Sequence, residues 1–508
     1  MNDNNSNRNS DESTPSSSKN SSTNSSGDLE DALPIMMNKK SIPKLNPYEF
    51  DFELAKQKYD SLDKTLESVG VKFKNRDKDL SKEEAMKIVK KFREIDLPYP
   101  LYRFNITSDI LCGYFEMLKN YKPNWIEKSH NELKGHPKGL WLPNRYLEKS
   151  WQLVNRKGTW HSIDILCDYF MEYERIHARK TYAPSMAEIW YNDDVLCKII
   201  MKSYSNRNLT FSGLKENIFH SGREVVTFRM TKAKSLIQMI LFRDTSGTTN
   251  LYTPFFPNEQ LTDENGIIIE DRIVRENLCK GLKWLDMSSG WGDRMLTACA
   301  LEMEYLGFDP NINLKYGYDQ ILEMFGTGAQ KVIYKPFENC YSIVNEYTKI
   351  HGAFDISLIS PPFFSIELYN GDGQSIDSYP KFEDWLVKFL FKSLFIIWDN
   401  LKSDGGYLAI NIANINNCDI ITPMQLFFED VLHFSSWQGI LTFSGRGTQE
   451  LPGIVYVWRK VDPFISSGIN NPRMRWCPNI TRSFREDYPN LYKIWVEIEE
   501  VLIKEKIQ

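Results

Sequence analysis

Residues 282–311 read LKWLDMSSGWGDRMLTACALEMEYLGFDPN. The apolar run that ends in Asp286 predicts a strand, the glycine-containing stretch after it a loop, and MLTACAL a helix. The second apolar run, ending just before Asp309, predicts another strand. A strand, glycine loop, helix and second strand in this order form the opening unit of a parallel sheet. Gly290 and Gly292 allow the backbone to turn sharply and to approach a ligand, while the following helix offers its N-terminal N–H groups.

The same alternation continues downstream. AQKVIYKPFENC, FDISLISPPFF, the helix FEDWLVKFLFKSLFIIWDNL, the strand GGYLAINIANI and the hairpin-like SGRGTQELPGIVYVWRK follow in turn. The prediction is an α/β protein with a doubly wound, Rossmann-like sheet, whose ligands bind at the carboxyl ends of the strands. Asp309, 19 residues beyond Gly290, is placed to accept hydrogen bonds from ribose hydroxyls. A dinucleotide and S-adenosylmethionine both satisfy these features. Asp286 favours the second, because a carboxylate there repels a pyrophosphate and suits the ammonium group of a methionine moiety. Met295 also stands where a dinucleotide fingerprint has its third glycine. A glycine turn serving only strand–helix packing is the competing reading.

LDMSSGWGDR followed by SPPF resembles the amino-methyltransferases of the DNA methyltransferase type, in which a [D/N/S]-P-P-[Y/F/W] loop follows the fourth strand. DMSSGWGDR, GFDPN and SPPFFSIELY with QSIDSYPKFEDW are similar to a group of methyltransferase-like proteins of large DNA viruses and phages. The likeness covers about residues 225–460 and, more weakly, SMAEIWYNDDVL at 185–196. It implies a methyltransferase sheet, S-adenosylmethionine as cofactor, and transfer of a methyl group to an exocyclic amine of a nucleic-acid base, N4 of cytosine or N6 of adenine in DNA. An RNA base or a protein amide as acceptor, and a non-catalytic binding protein retaining the fold, are the alternatives. No Pro-Cys dipeptide occurs, which argues against C5-cytosine chemistry.

In that setting the Ser360 hydroxyl and the Pro361 carbonyl are acceptors for the amino hydrogens, and Pro361 with Pro362 holds them rigid. Phe363 offers a stacking face for a base flipped from its helix, or fills core; Phe364 is read as core, and Glu367 either closes on the substrate or lies on a solvated turn. The likeness places Ser288 in the cofactor loop and Glu338 at the adenine amino group, with Phe337 as a packing face, although PFE reads equally as a plain strand-to-helix turn. Thr231 heads the helix that precedes the glycine loop, either as a contact to the methionine carboxylate or as an N-cap, and Arg446 lies in the late hairpin near the substrate or on the surface.

With 508 residues, two or three structural units are expected. Residues 1–45, rich in Asn and Ser, offer little to bury and are read as a disordered tail. Residues 46–225 read as a mostly helical region, with Ser81 and Glu84 in capping-box spacing, and SDILCGYF at 108–115 nearly recurs as IDILCDYF at 163–170. Residues 226–462 form the methyltransferase unit and 463–508 a helical extension. The net charge of −5 gives no global basic signature. Between Lys119 and Lys157, however, nine Lys or Arg stand against three Glu, interleaved with Trp125, Trp141 and Trp151. That segment is either a nucleic-acid surface or a solvated face over core tryptophans. Eight cysteines without a CxxC pair and seven histidines without ligand spacing point to an intracellular protein that needs no metal. No apolar run has the length of a signal peptide or a membrane span.

Overall fold

The computed structural model describes residues 47–68, 79–121, 125–128, 150–153, 160–180, 183–206, 209–222, 224–225, 227–241, 279–369, 371–415, 418–432, 435–443, 453–461 and 483–507. Residues 1–45, Trp141 and Arg446 lie outside these, and of Trp125 and Trp151 only the backbone is described. Eleven strands are defined among the described residues: β1 (Trp125–Lys128), β2 (Ser150–Leu153), β3 (Arg179–Lys180), β4 (Lys283–Asp286), β5 (Glu304–Phe308), β6 (Gln330–Ile333), β7 (Ile356–Ile359), β8 (Glu367–Leu368), β9 (Tyr407–Asn411), β10 (Ser435–Phe443) and β11 (Gly453–Lys460).

Nine of them form one sheet in the order β1-β2-β10-β11-β9-β7-β4-β5-β6. β6, β5, β4, β7 and β9 are parallel, and β11 is antiparallel to both β9 and β10. The chain winds from β4 outward through β5 to β6, then returns to β7 on the other side of β4. The strand order therefore reverses between β4 and β7, and a doubly wound sheet opens its ligand crevice at such a point. This is the Rossmann-like sheet expected from the sequence, with β4 and β5 ending at Asp286 and just before Asp309.

Strand periodicity explains why both faces of the sheet are covered. Leu285, Leu306, Ile359 and Ile410 point into one apolar core with Trp385, Phe427 and Trp495. Their neighbours Trp284, Tyr305, Leu358 and Ala409 point into the opposite core. There they meet Leu111 and Phe115 of the helix Ser108–Lys119, and Leu166 and Phe170 of the helix Trp160–Arg175. A third cluster, around Phe92, Trp190 and Leu214, joins helices of residues 52–221. The Ser81–Glu84 capping box is formed.

The change in composition near residue 225 does not coincide with a boundary in packing. Two helices from before it cover one face of the sheet, and β1 and β2 extend the sheet at the β10 edge. The buried Lys234 ammonium donates to the Leu118 carbonyl at 3.0 Å, across the same point in the chain. The helix Pro489–Ile507 likewise sinks Trp495 completely into the other face. The described residues cluster as one compact unit. The two similar octapeptides lie on neighbouring helices and present equivalent rings to one partner: Phe115 stacks on Phe325 at 4.2 Å and Phe170 meets it edge-on at 6.1 Å.

Candidate active site

The glycine loop owes its shape to left-handed backbone at Gly290 (φ 61°) and Gly292 (φ 78°). A Cβ on Gly292 would meet Ile321 at 2.8 Å, whereas one on Gly290 would find nothing nearer than 3.7 Å, so the loop is closed on its underside and has room at Gly290. Asp309 is the loop's anchor. Its carboxylate accepts from the Gly290 N–H at 3.0 Å and the Asn311 N–H at 2.9 Å, which leaves further lone pairs for a ligand hydroxyl. Burial pushes this carboxyl up to about 7, against the pull of the two N–H donors.

Asp286 does not present the free carboxylate that the sequence suggested. It is fully buried, accepts from Arg294 Nε at 2.6 Å and from the Tyr305 hydroxyl at 2.7 Å, and bonds the Ser288 N–H at 3.1 Å. Arg294, buried in turn, also donates to the Ser288 carbonyl. The Asp286–Arg294 pair is a buttress under the loop, and its charges compensate one another. The contrast between pyrophosphate and ammonium drawn from Asp286 therefore has no free charge behind it. Arg294 could be found in the sequence only as a cation eight residues on, at the start of the next helix.

Ser288 reaches the neighbouring strand end. Its hydroxyl donates to the Ser360 carbonyl at 3.1 Å, tying the glycine loop to the SPPF loop across the point where the strand order reverses. Ser360 follows β7 directly, and the β7–β9 register pairs Ile359 with Ile410, so Ser360 and Asn411 come side by side. The Ser360 hydroxyl lies 3.5 Å from Asn411 Oδ1. Pro361 is buried, while Phe363 and Phe364 are half-buried against the core below. Phe364 contacts Phe382 and Trp385, each at 5.6 Å, in agreement with its reading as core.

Thr231 was expected to head its helix, but the helix begins at Met230 and the residue before that, Arg229, is left-handed (φ 69°). Thr231 is thus a buried residue of the first turn, not its cap. Phe337 is buried edge-on to Phe308 at 4.9 Å, and Glu338 beside it is buried, its carboxyl raised by burial and hydrogen-bonded to Tyr379.

A strap that the sequence did not reveal runs from Ile366 to Tyr379 over the strand ends. β8 within it pairs with β3 from the N-terminal region, and Tyr369 contacts Trp291 of the glycine loop at 5.9 Å. Gln374 clamps it by accepting from the Tyr369 N–H at 2.8 Å and donating to the Tyr369 carbonyl at 2.7 Å. Gly371 leaves no room for a side chain against Asn311, and Trp385 Nε1 donates to Ser375 at 3.0 Å. Within the strap the Glu367 carboxyl is raised by burial and accepts from the Tyr369 hydroxyl at 2.5 Å, so it is part of a packed pair rather than a solvated turn.

No protein-family model matches the chain, and no curated protein does. Among solved structures it is similar to an rRNA methylase from Streptococcus thermophilus, at 12% identity over 37% of this chain and 92% of that one, with a TM-score of 0.26. A candidate methyltransferase from Streptococcus mutans in complex with SAH aligns at 12% identity over 38% of this chain and 99% of the other, TM-score 0.26. A SAM-dependent methyltransferase from Agrobacterium tumefaciens aligns at 13% identity over 38% and 64%, TM-score 0.25. Among the described residues no helix is long and apolar enough to cross a membrane, and no group of three or more His, Cys, Asp or Glu is placed to hold a metal ion.

Proposed function

We propose that the chain is an S-adenosylmethionine-dependent methyltransferase of the DNA amino-methyltransferase type, acting on an exocyclic amine of a nucleic-acid base, N4 of cytosine or N6 of adenine in DNA. The observation that carries this reading is the hydrogen bond from Ser288 to the Ser360 carbonyl. It joins a glycine loop anchored by a carboxylate, suited to a nucleoside, to a rigid Pro-Pro loop that offers acceptors, at the crevice where doubly wound sheets bind ligands.

The donor set fits the cofactor. Asp309 would take the ribose hydroxyls, the room at Gly290 would admit the ligand against the backbone, Phe337 and Glu338 would stand at the adenine, and Thr231 with Ser288 would border the methionine end. Asp286 serves by holding the loop in shape through Arg294. The cofactor supplies a methyl group carried on a positively charged sulfur. Everything else falls to the chain. An exocyclic amine is a poor nucleophile because its lone pair is delocalised into the ring, and it must become pyramidal to attack. The Ser360 hydroxyl and the Pro361 carbonyl would accept its two hydrogens in that geometry, held in advance by the two prolines. Phe363 would give the flipped base a stacking face.

Incubation with radiolabelled methyl donor and separate DNA, RNA and protein pools tests the reading. Label is expected in DNA, on N4-methylcytosine or N6-methyladenine after hydrolysis. Label confined to RNA or to protein amides would move the substrate class, and no label in any pool would remove the catalytic reading.

A further inference from the structure

The serine at the head of the Pro-Pro loop poses a chemical problem. A hydroxyl has one proton to donate and two lone pairs, and it rotates to suit its surroundings. To accept from an amine N–H it must send its own proton elsewhere, or it will face the substrate as a donor and oppose the amine.

We propose that Asn411, at the end of β9, is the positioning residue that keeps Ser360 an acceptor. The inference rests on the amine-methylating reading of the site. Asn411 Nδ2 donates to the Ile454 carbonyl at 2.8 Å. A carbonyl can only accept, so this bond settles which end of the amide is nitrogen, and Oδ1 must be the end that faces Ser360. Ile454 lies on β11, whose ladder with β9 pairs Val455 with Asn411, so the amide nitrogen is held by the main chain of the neighbouring strand. The Ser360 hydroxyl proton then has an acceptor at 3.5 Å on the β9 side, and its lone pairs are turned to the crevice. The Ser360 backbone is held separately, by Ser288 at its carbonyl. The 3.5 Å separation is at the long limit for a hydroxyl bond, and the role assigned to Asn411 requires it to shorten when the reacting complex forms.

The substitutions Asn411→Leu and Asn411→Asp separate this role from simple support of the sheet. Both lose the donor to Ile454, so both should melt at a lower temperature than the wild type. Only Asn411→Leu loses the acceptor for the Ser360 proton. In single-turnover transfer of labelled methyl to DNA, Asn411→Leu is expected to fall at least tenfold with KM and cofactor Kd within threefold of the wild type, and Asn411→Asp less than threefold. In a Ser360→Ala background, Asn411→Leu should cost nothing further. The proposal is overturned by an Asn411→Asp protein as slow as Asn411→Leu, by an Asn411→Leu protein at the wild-type rate, or by a full Asn411→Leu effect without the Ser360 hydroxyl. Wild-type protein that labels no amine would overturn the functional reading, and this proposal with it. Wild-type transfer alongside any of the first three outcomes would overturn this proposal alone.

Discussion

Replacing Ser360 by Ala removes an acceptor that matters only once the attacking amine is pyramidal. Turnover is therefore expected to fall about a hundredfold, on the order of 3 kcal/mol, with cofactor and substrate affinity nearly unchanged. Phe363→Ala differs in kind: loss of a stacking face costs roughly 1–3 kcal/mol per base and should weaken capture of the DNA as well as slow the step. Ser288→Ala tests which partner that side chain serves. A drop in turnover at constant cofactor affinity marks the bond to Ser360, and a weakened cofactor marks a direct contact. Asp309 carries a pH signature. Its carboxyl is raised to about 7 in the fold, above the ordinary carboxylate range near 4, so the folded chain binds more protons than the unfolded one between those values. The stability this group contributes is full at acid pH and is lost as pH rises through about 7, at a cost on the order of 4 kcal/mol. In ligand-free protein, calorimetric melting of Asp309→Asn should lack that decline between about pH 4 and 7. Cofactor affinity of the wild type should run the other way, rising from pH 6 to 8 as the carboxylate becomes the better acceptor for hydroxyls.

The glycine loop shows what a local pattern reveals and what it leaves hidden. Gly292 combines a left-handed φ with an underside packed on Ile321 at 2.8 Å, so Gly292→Ala meets both backbone strain and overpacking. A loss of about 2–3 kcal/mol in chemical denaturation is expected, together with weaker cofactor binding, and an unchanged midpoint would show that the loop yields freely. The strands ending at Asp286, at Phe308 before Asp309, and at Ile359 before Ser360 were legible because apolar runs and turn residues lie next to one another in the chain. The bonds that decide what those ends can do were not. Asp286 with Arg294 depends on a helix folding back over its own loop, and Ser360 with Asn411 on register between strands some 50 residues apart. The strap over the site was hidden for the same reason: its hold comes from Trp291, Asn311 and Trp385, each distant from it in sequence. The strap also docks where the helix Phe382–Asn400 carries a π-helical stretch, Trp385–Phe391, and the wider turn presents Trp385 to both Phe364 and Ser375.

Across the whole molecule, composition suggested a helical region followed by a separable sheet unit, and the packing joins them. A fragment of residues 226–462 retains every strand from β4 to β11 but not β2 and β3, the partners of β10 and β8, and it would strip Leu111, Phe115, Leu166 and Phe170 from one face of the sheet. It would also remove Leu491, Trp495 and Leu502 from the other. Each of those seven buried side chains is worth roughly 1.5–3 kcal/mol, so together they amount to about 10–20 kcal/mol, as large as the 5–15 kcal/mol by which a typical domain is stable. The fragment should therefore aggregate or melt without a cooperative transition, while a chain of residues 47–508 should unfold as one unit that includes the helices before residue 225. Trp495→Ala in the full chain is the milder version of the same test. Removing this fully buried indole should cost about 3–5 kcal/mol and lower the melting temperature of the sheet, although Trp495 lies far from the strands in sequence. A 226–462 fragment that melts cooperatively and binds the cofactor as the full chain does would show that the covering helices are dispensable. The region before residue 225 would then be free to serve the substrate alone.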